Sequence, residues 1–361
     1  MEIRVDQFIS SFYPKFAEGA VFNDILETQK TLRNAGYISD IFTIDPEKDS
    51  GARFYSKYNY RSKNDIVIYQ YGEGSILTDF IIKLKAKKIL RYHSVTPPKF
   101  LKETPKSLLD TIGGNKDAKF LISEMNSSFA TSEYTKTELE NFGFKNIQIL
   151  PVFIDFNKYK KTSKAAVSKT TKNLIFVGRL VPNKKHEDII KTFYYYHKIN
   201  PKSNLFLVGE CKSCPRYVNF LKKLIKELDL NKNVCLTGQI TFEELVNFYG
   251  VSDIFICMSE HEGFCVPLLE AMYFTLPIIA YNSTAIPYTL GNAGVLVNKK
   301  NYAEIAELID IILTDKKLYS QIVEKQNDRL KEFSLENTKN KLIKYIEELK
   351  NSGNSIETYI E

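Results

Sequence analysis

Two doubly wound α/β domains, each built on a parallel sheet, are the fold that this sequence of 361 residues predicts. Three observations carry it. Short apolar runs alternate with longer segments of helical period along most of the chain. The apolar runs are hydrophobic almost throughout, as strands covered by helices on both faces must be. The alternation also occurs twice, on either side of a polar, lysine-rich stretch. The expected division is an N-terminal domain over 1–155, a linker over 156–172 and a C-terminal domain over 173–333. A C-terminal helix over 334–361 then packs back on the first domain and ends in a frayed tail. Parallel sheets of this kind bind ligands beyond the carboxyl ends of their strands, so a cleft between the domains is the expected site.

In the first half the strand candidates are IRVDQF, SDIFTI, DIVIYQY, KILRYHSV, FLISEMN and NIQILPVF. Between the first two, VFNDILETQKTLRNAGY has apolar residues at helical spacing and ends in Asn-Ala-Gly, a helix-stop signal. After the linker come NLIFVGRL, the helix EDIIKTFYYYHKI, NLFLVGE, the helix VNFLKKLIKELDL and NVCLTG. ELVNFYGVS, DIFICMS, PLLEAMYFT, PIIAYN and GVLV continue the order. From Tyr302 the chain becomes charged and helical, and DIILTDKKLYSQIVEKQNDRLKEF and NTKNKLIKYIEEL read as amphipathic covering helices.

Composition bounds the class. A hydrophobic content of 43% with 26% charged residues is that of a soluble globular protein. The opening MEIRVDQF has no basic or apolar signal region, and no run approaches the roughly 20 apolar residues of a membrane span. With five cysteines, an odd number, a cytoplasmic protein without a disulfide framework is expected. CKSC at Cys211 to Cys214 reads as a loop, because no second CxxC or paired histidine lies nearby to complete a zinc site. Six lysines between Lys158 and Lys172, with no acid among them, supply most of the net charge of +7. Nucleic-acid binding would need aromatics interleaved on a structured basic face, so no nucleic-acid partner is expected. Attraction to anionic phospholipid at the inner face of the cell membrane stays open as a second reading of the lysines. IIKLKAKKIL at 81–90 has two readings as well, a membrane-facing amphipathic segment or a helix running into a buried strand.

The chemistry lies in loops that follow strands. In FVGRLVPNKKH, Gly178 and Arg179 end a strand and Lys184 and Lys185 precede a helix. Arg179 and Lys184, five positions apart around a turn, can therefore converge on a diphosphate, and a solvated basic turn fits the same stretch. In EHEGFCVPLLEAM, Glu262 stands on a loop before Gly263, and Pro267 starts a helix in which Glu270 lies one turn along. Two acids that accept hydroxyl protons would flank a helix N-terminus that attracts an anion, the pattern for a ligand with sugar and phosphate parts. A solvated loop acid and an ordinary first-turn glutamate fit the same stretch. His93 ends a strand before two prolines, and Gly19 precedes the first helix. Gly238 ends NVCLTG, with Gln239 and Ile240 after it, where a nucleotide base can meet backbone; Gly209, after NLFLVG, reads as a plain strand exit. GxGxxG, GxxxxGK[ST] and HExxH are all absent, and without a dinucleotide fingerprint or Walker loop a dehydrogenase or an NTPase is disfavoured.

Those stretches together resemble family 4 retaining glycosyltransferases. Glu262 and Glu270 fit the E-x7-E signature within SEHEGFCVPLLEAM. VGRLVPNKK is similar to the VGRL-x-P-x-K motif at Gly178, Arg179, Pro182 and Lys184, and YHSVTPP is similar to a motif of one branch. The resemblance implies a GT-B fold, two Rossmann-like domains facing a central cleft. It implies that Arg179 and Lys184 neutralise the diphosphate of a nucleotide-sugar donor, and that Glu270 accepts ribose hydroxyls. It assigns the transferred sugar to Glu262 and the Gly263, Phe264, Cys265 and Val266 backbone, and places His93 near the anomeric carbon. The implied activity is transfer of a hexose from a UDP- or GDP-linked donor, with retention and without metal or other cofactor. A glycan acceptor, favoured as lipid-linked, and a role in cell-surface polysaccharide or lipopolysaccharide assembly go with it. Lys185 and Cys265 depart from the family, standing where many members have glycine, and the N-terminal loop has the single Gly19 where some members carry two. A nucleotide-sugar epimerase or phosphorylase on the same fold, and a non-catalytic nucleotide-sugar-binding partner, are the competing readings.

Overall fold

The computed structural model describes residues 3–12, 20–48, 50–101, 118–160 and 170–352. The chain forms two compact units, one of Met1–Val95, Lys106–Ile154 and Phe333–Glu361, the other of Thr96–Pro105 and Asp155–Glu332. Gly19 and residues 161–169 of the lysine-rich stretch lie outside the described residues.

The first unit holds a seven-stranded sheet of β1 (Val5–Ile9), β2 (Ile41–Thr43), β3 (Ala52–Phe54), β4 (Ile66–Tyr71), β5 (Lys87–Tyr92), β6 (Ser127–Ala130) and β7 (Ile147–Ile149). All pairings are parallel, in the order β3-β2-β1-β4-β5-β6-β7. The central strand β4 shows why an almost wholly apolar run was needed. Val67, Tyr69 and Tyr71 enter one core, while Ile66 and Ile68 enter another on the opposite face. The second core is closed by the helix Leu335–Asn351, whose Leu342, Ile346 and Leu349 recur at helical spacing and are all buried. Each such side chain removed from water contributes about 1.5–3 kcal/mol. Lys87 finishes the docking: its Nζ donates to the Leu349 and Lys350 carbonyls at 2.7 and 3.0 Å, a cation on the negative end of the helix.

Two sequence expectations change here. FLISEMN is not a strand: it begins in a helical turn and continues through a turn, and β6 starts at Ser127. Apolar content misled because Leu121 is buried from a helix, and a short apolar run does not distinguish the two states. The short edge strand β3, with Arg53 and Phe54 exposed, carried too little hydrophobic signal to be read at all. For IIKLKAKKIL the structure decides between the readings. The helix Leu77–Ile82 leads into β5, and Ile81, Ile89 and Leu90 are buried in the cores.

The second unit has β8 (Lys172–Val177), β9 (Ser203–Val208), β10 (Val234–Gly238), β11 (Ile254–Cys257), β12 (Ile278–Tyr281) and β13 (Val295–Val297). They are parallel in the order β10-β9-β8-β11-β12-β13. Counted within the unit this is 3-2-1-4-5-6, the doubly wound order of dinucleotide-binding folds. Its order reverses between β8 and β11, so the loops after those two strands open at the switch point. Those loops hold Arg179 with Lys184, and Glu262.

Candidate active site

The loop after β8 is built around a close backbone approach. A Cβ on Gly209, at the end of β9, would lie 2.0 Å from the Gly178 carbonyl oxygen. Only glycine fits there, which lets the ends of β8 and β9 touch. Arg179 emerges exposed; its carbonyl accepts the Val181 N–H at 2.9 Å, while its guanidinium has no ion-pair or hydrogen-bond partner among the described residues and is open to an anion. A 3₁₀ turn, Pro182–Lys184, then directs Lys184 onto Glu262, with Nζ 2.6 Å from Oε2. Glu262 is buried and Lys184 is about one-fifth exposed (19%), so one face of the lysine stays accessible.

The two loops are fastened by Asn183, which is itself buried. Its carbonyl accepts the Glu260 N–H at 2.8 Å and its side-chain amide donates to the His261 carbonyl at 3.1 Å. Behind them Lys300 bridges Asp188 and Glu260 at 2.7 and 2.8 Å, and Lys185 sits between Glu187 and Glu260. The main chain of Glu262 is held from the other side by Thr284, whose Oγ1 accepts its N–H at 2.9 Å, and by Ala285, whose N–H donates to its carbonyl at 3.3 Å. The Phe264 carbonyl accepts from the Thr289 hydroxyl. Position of the acid is therefore set by backbone, leaving its side chain to the lysine.

Cys265 caps the helix Val266–Tyr273 with φ +70° and offers no side-chain hydrogen bond to it, so the first N–H groups face the loop with no side-chain cap. Lys185 begins the helix His186–Ile199 in the same left-handed region, φ +54°. Cys265 and Lys185 thus both fall on backbone that L-residues resist. Cys265→Gly relieves that strain while losing a small buried side chain, and the two effects should nearly cancel. Urea denaturation is expected to place Cys265→Gly within about 1 kcal/mol of the parent and Cys265→Ala below it.

Glu270 is differently placed from Glu262. It is buried, and each carboxylate oxygen is already engaged, Oε1 by the Tyr159 hydroxyl at 2.6 Å and Oε2 by the Tyr249 hydroxyl at 2.7 Å. Burial raises its carboxyl above the usual range, and the two tyrosine hydrogen bonds oppose that shift. Each oxygen keeps a second lone pair. Tyr159 is fixed by the helix it serves: Phe156 stacks on Tyr273 at 4.8 Å, and the Tyr273 hydroxyl donates to the Tyr159 carbonyl at 2.9 Å. Sequence reading passed over Tyr159, Tyr249 and Asn183. A lone tyrosine in a lysine-rich segment or an asparagine in a turn carries no spacing signal.

Gly238 ends β10 at φ +70° and meets Gly209 in an isolated bridge, so the two strand-end glycines are neighbours. Gln239 is exposed and Ile240 half-buried, just before the helix Phe242–Val251 with its Thr241–Glu244 capping box.

His93 belongs to the first unit and follows β5. Its Nε2 lies 2.7 Å from Gln70 Oε1; Gln70 Nε2 donates to Gln7 Oε1 at 2.8 Å, and Gln7 Nε2 donates to the Ile25 carbonyl at 3.0 Å. A carbonyl can only accept, so each amide in the chain is oriented and the imidazole must donate from Nε2. Burial lowers His93 to about 4, so the ring is neutral near pH 7, with its lone pair on Nδ1. His186 and His261 are also held neutral by burial, at about 3 and about 4. His186 and Phe176 pack edge to face, with ring centroids 5.1 Å apart.

These three histidines give acid lability a definite sign. Their folded values lie below the ordinary 6.5, so the unfolded chain takes the protons first as pH falls. Stability is complete above about pH 6.5 and is lost as pH falls from there to about 4 for His93 and His261 and to about 3 for His186, at up to about 1.4 kcal/mol per pH unit per histidine. Urea unfolding at about pH 7.5 and about pH 5 should differ by several kcal/mol. Equal stabilities would show that the rings are protonated in the fold.

Residues 157–329 match the profile of glycosyl transferases, group 1. A GDP-mannose-dependent monoacylated alpha-(1-6)-phosphatidylinositol monomannoside mannosyltransferase of Corynebacterium glutamicum is 25% identical over 222 residues, 56% of this chain and 57% of that protein. The mannosylfructose-phosphate synthase of Agrobacterium fabrum is 26% identical over 154 residues, 39% of this chain and 34% of its own length. The chain spans about half the length, or less, of the curated relatives it matches. Among solved structures, sucrose-phosphate synthase from Thermosynechococcus elongatus superposes with a TM-score of 0.78 at 17% identity, covering 97% of this chain and 100% of the other. Anabaena HepE in complex with UDP-glucose gives 0.75 at 14% identity, covering 96% and 100%. The fold is GT-B. Its second unit contains the whole of the matched segment, and with it Arg179, Lys184, Glu262 and Glu270.

Proposed function

We propose that this chain is a retaining, metal-independent glycosyltransferase that moves a hexose from a UDP- or GDP-sugar to a glycan acceptor, favoured as lipid-linked and met at the inner face of a membrane. The observation that carries the reading is the pairing of Lys184 with Glu262 at 2.6 Å, beside the side-chain-uncapped N-terminus of the helix Val266–Tyr273, with the open Arg179 on the same switch-point loop. Breaking a sugar–phosphate bond places negative charge on the leaving diphosphate. Fixed cations and helix N–H groups stabilise that charge as it grows, without reorganisation. Arginine and lysine then serve where a divalent metal serves in other transferases. Glu262 takes hydroxyls of the transferred sugar, Glu270 takes the ribose through its remaining lone pairs, and Gly238, Gln239 and Ile240 border the base. His93, neutral and oriented by Gln70, accepts from the sugar rather than delivering a proton.

Retention follows front-face attack in which the leaving phosphate receives the acceptor's proton. No step uses a carboxylate nucleophile. Release of nucleoside diphosphate from a panel of UDP- and GDP-sugars, with and without acceptor glycans, tests the proposal. Acceptor-dependent release in chelator is the expected result. Rearrangement of the sugar without any acceptor, or nucleotide-sugar binding with no turnover, would replace it. No helix among the described residues is long and apolar enough to cross a membrane, so any membrane contact would be peripheral to them.

A further inference from the structure

Cys257 ends β11, five residues before Glu262, and Cys265 caps the helix three residues after it. All three are buried, and the two sulfurs and a carboxylate oxygen lie within 4.8 Å of one another. We propose that they form a binding site for a thiophilic divalent cation, zinc or cadmium, which competes with the sugar donor for Glu262. The competition, though not the site, rests on the function proposed above.

Geometry supports three-point ligation. Tetrahedral thiolates about 2.3 Å from zinc are roughly 3.8 Å apart, so the donor atoms can close on an ion by moving about 1 Å. Their chain positions favour this: one sulfur is on a rigid central strand, the other is fixed by a helix cap, and the acid's main chain is pinned by Thr284. Charge supports it too. On binding, the two thiols release their protons, and two thiolates with one carboxylate carry −3 against +2 from the ion. Lys184, already 2.6 Å from Glu262, supplies the remaining +1. A glutamate that gives one oxygen to lysine still has another for metal. The fourth position is left to solvent, as in zinc sites that keep an open place. Two sulfurs make the site unsuited to magnesium or calcium, which take oxygen. It is therefore compatible with a transfer that needs no metal. Occupancy would instead withdraw Glu262 from the sugar, and cytoplasmic zinc or toxic cadmium would act as an inhibitor.

The test titrates cadmium into the full-length, reduced, chelator-free protein while following the ultraviolet sulfur-to-cadmium charge-transfer band. One equivalent should bind. Cys257→Ala and Cys265→Gly should each weaken binding by at least the 10–100-fold, roughly, that loss of an outer-shell partner alone costs. The double variant Cys211→Ser/Cys235→Ser, which alters thiols elsewhere, should bind as the parent does, and magnesium should not compete. Circular dichroism of each variant confirms its fold. Absence of stoichiometric binding, or full binding in Cys257→Ala and Cys265→Gly, overturns the site. A separate thermal-shift arm adds nucleotide sugar with and without cadmium. A donor-induced shift that cadmium lowers supports competition, and one that it leaves unchanged overturns it. Should no nucleotide sugar shift the metal-free protein, the transferase reading fails independently, because the cadmium band does not depend on it.

Discussion

Replacing Lys184 with alanine is expected to lower kcat/KM for the nucleotide sugar by about 10²–10³-fold, the loss that follows removal of one fixed group that stabilises developing negative charge. The expectation comes from where the lysine is held. The Pro182–Lys184 turn and the Asn183 clamp deliver its Nζ to Glu262, so in the proposed mechanism no conformational search would be needed as a diphosphate departs. Lys184→Arg should recover part of the rate, since charge is restored and reach is not. Glu262→Gln should fall mainly in kcat if the acid meets sugar hydroxyls in the transition state. The two substitutions share an ion pair, so their effects should combine non-additively by more than about 0.5 kcal/mol in the double variant. Stability must be followed in parallel, because a buried Glu262 without its lysine costs on the order of 1–3 kcal/mol. A Lys184→Ala protein that folds and turns over within a few-fold of the parent would remove the lysine from the mechanism.

The largest stability effect is expected in the first unit, at Arg91. This arginine is 1% exposed and Asp24 is fully buried. Nε and Nη2 meet the two Asp24 oxygens at 3.1 Å each, while Nη2 and Nη1 also donate to the Pro151 and Leu150 carbonyls. Asp24 Oδ1 accepts the Phe153 N–H at 2.8 Å. The group ties β5, the helix Ala20–Asn34 and the segment after β7 together. Arg91→Ala strands a buried carboxylate and two carbonyls, a loss of about 3–5 kcal/mol. At about 2–4 °C per kcal/mol for a domain of this size, the unit should melt about 10 °C lower by calorimetry. Arg91→Met with Asp24→Leu removes both charges together and should lie well above the single variant. A double variant as unstable as Arg91→Ala would mean that packing, rather than charge, sets the cost.

The sequence was most informative where side-chain pattern and backbone demand coincide. β4 and β11 read as buried strands because both faces are covered, so nearly every residue is apolar, Gln70 of β4 being the polar exception. The helix Ala20–Asn34 read correctly because Gly36 marks its end at φ +88°. FLISEMN misled because hydrophobic content without length does not separate helix from strand. The site follows the same division. Arg179, Lys184 and Glu262 stood out as charges in loops after strands. That Lys184 and Glu262 touch, across 78 residues, depends on β8 and β11 being neighbours, and no local pattern encodes strand order.

What the sequence determined by itself is the alternation of strands and helices, the repetition of that pattern and the identity of the charged groups at strand ends. These follow from local propensity and burial, which act over a few residues. Tertiary structure alone decided that Tyr159 and Tyr249 enclose Glu270, that Asn183 locks two loops together, and that Cys257 and Cys265 converge on Glu262. The reason is physical: hydrogen bonds and metal-like clusters form between groups brought near by packing, and packing joins residues whose separation along the chain carries no periodic signal.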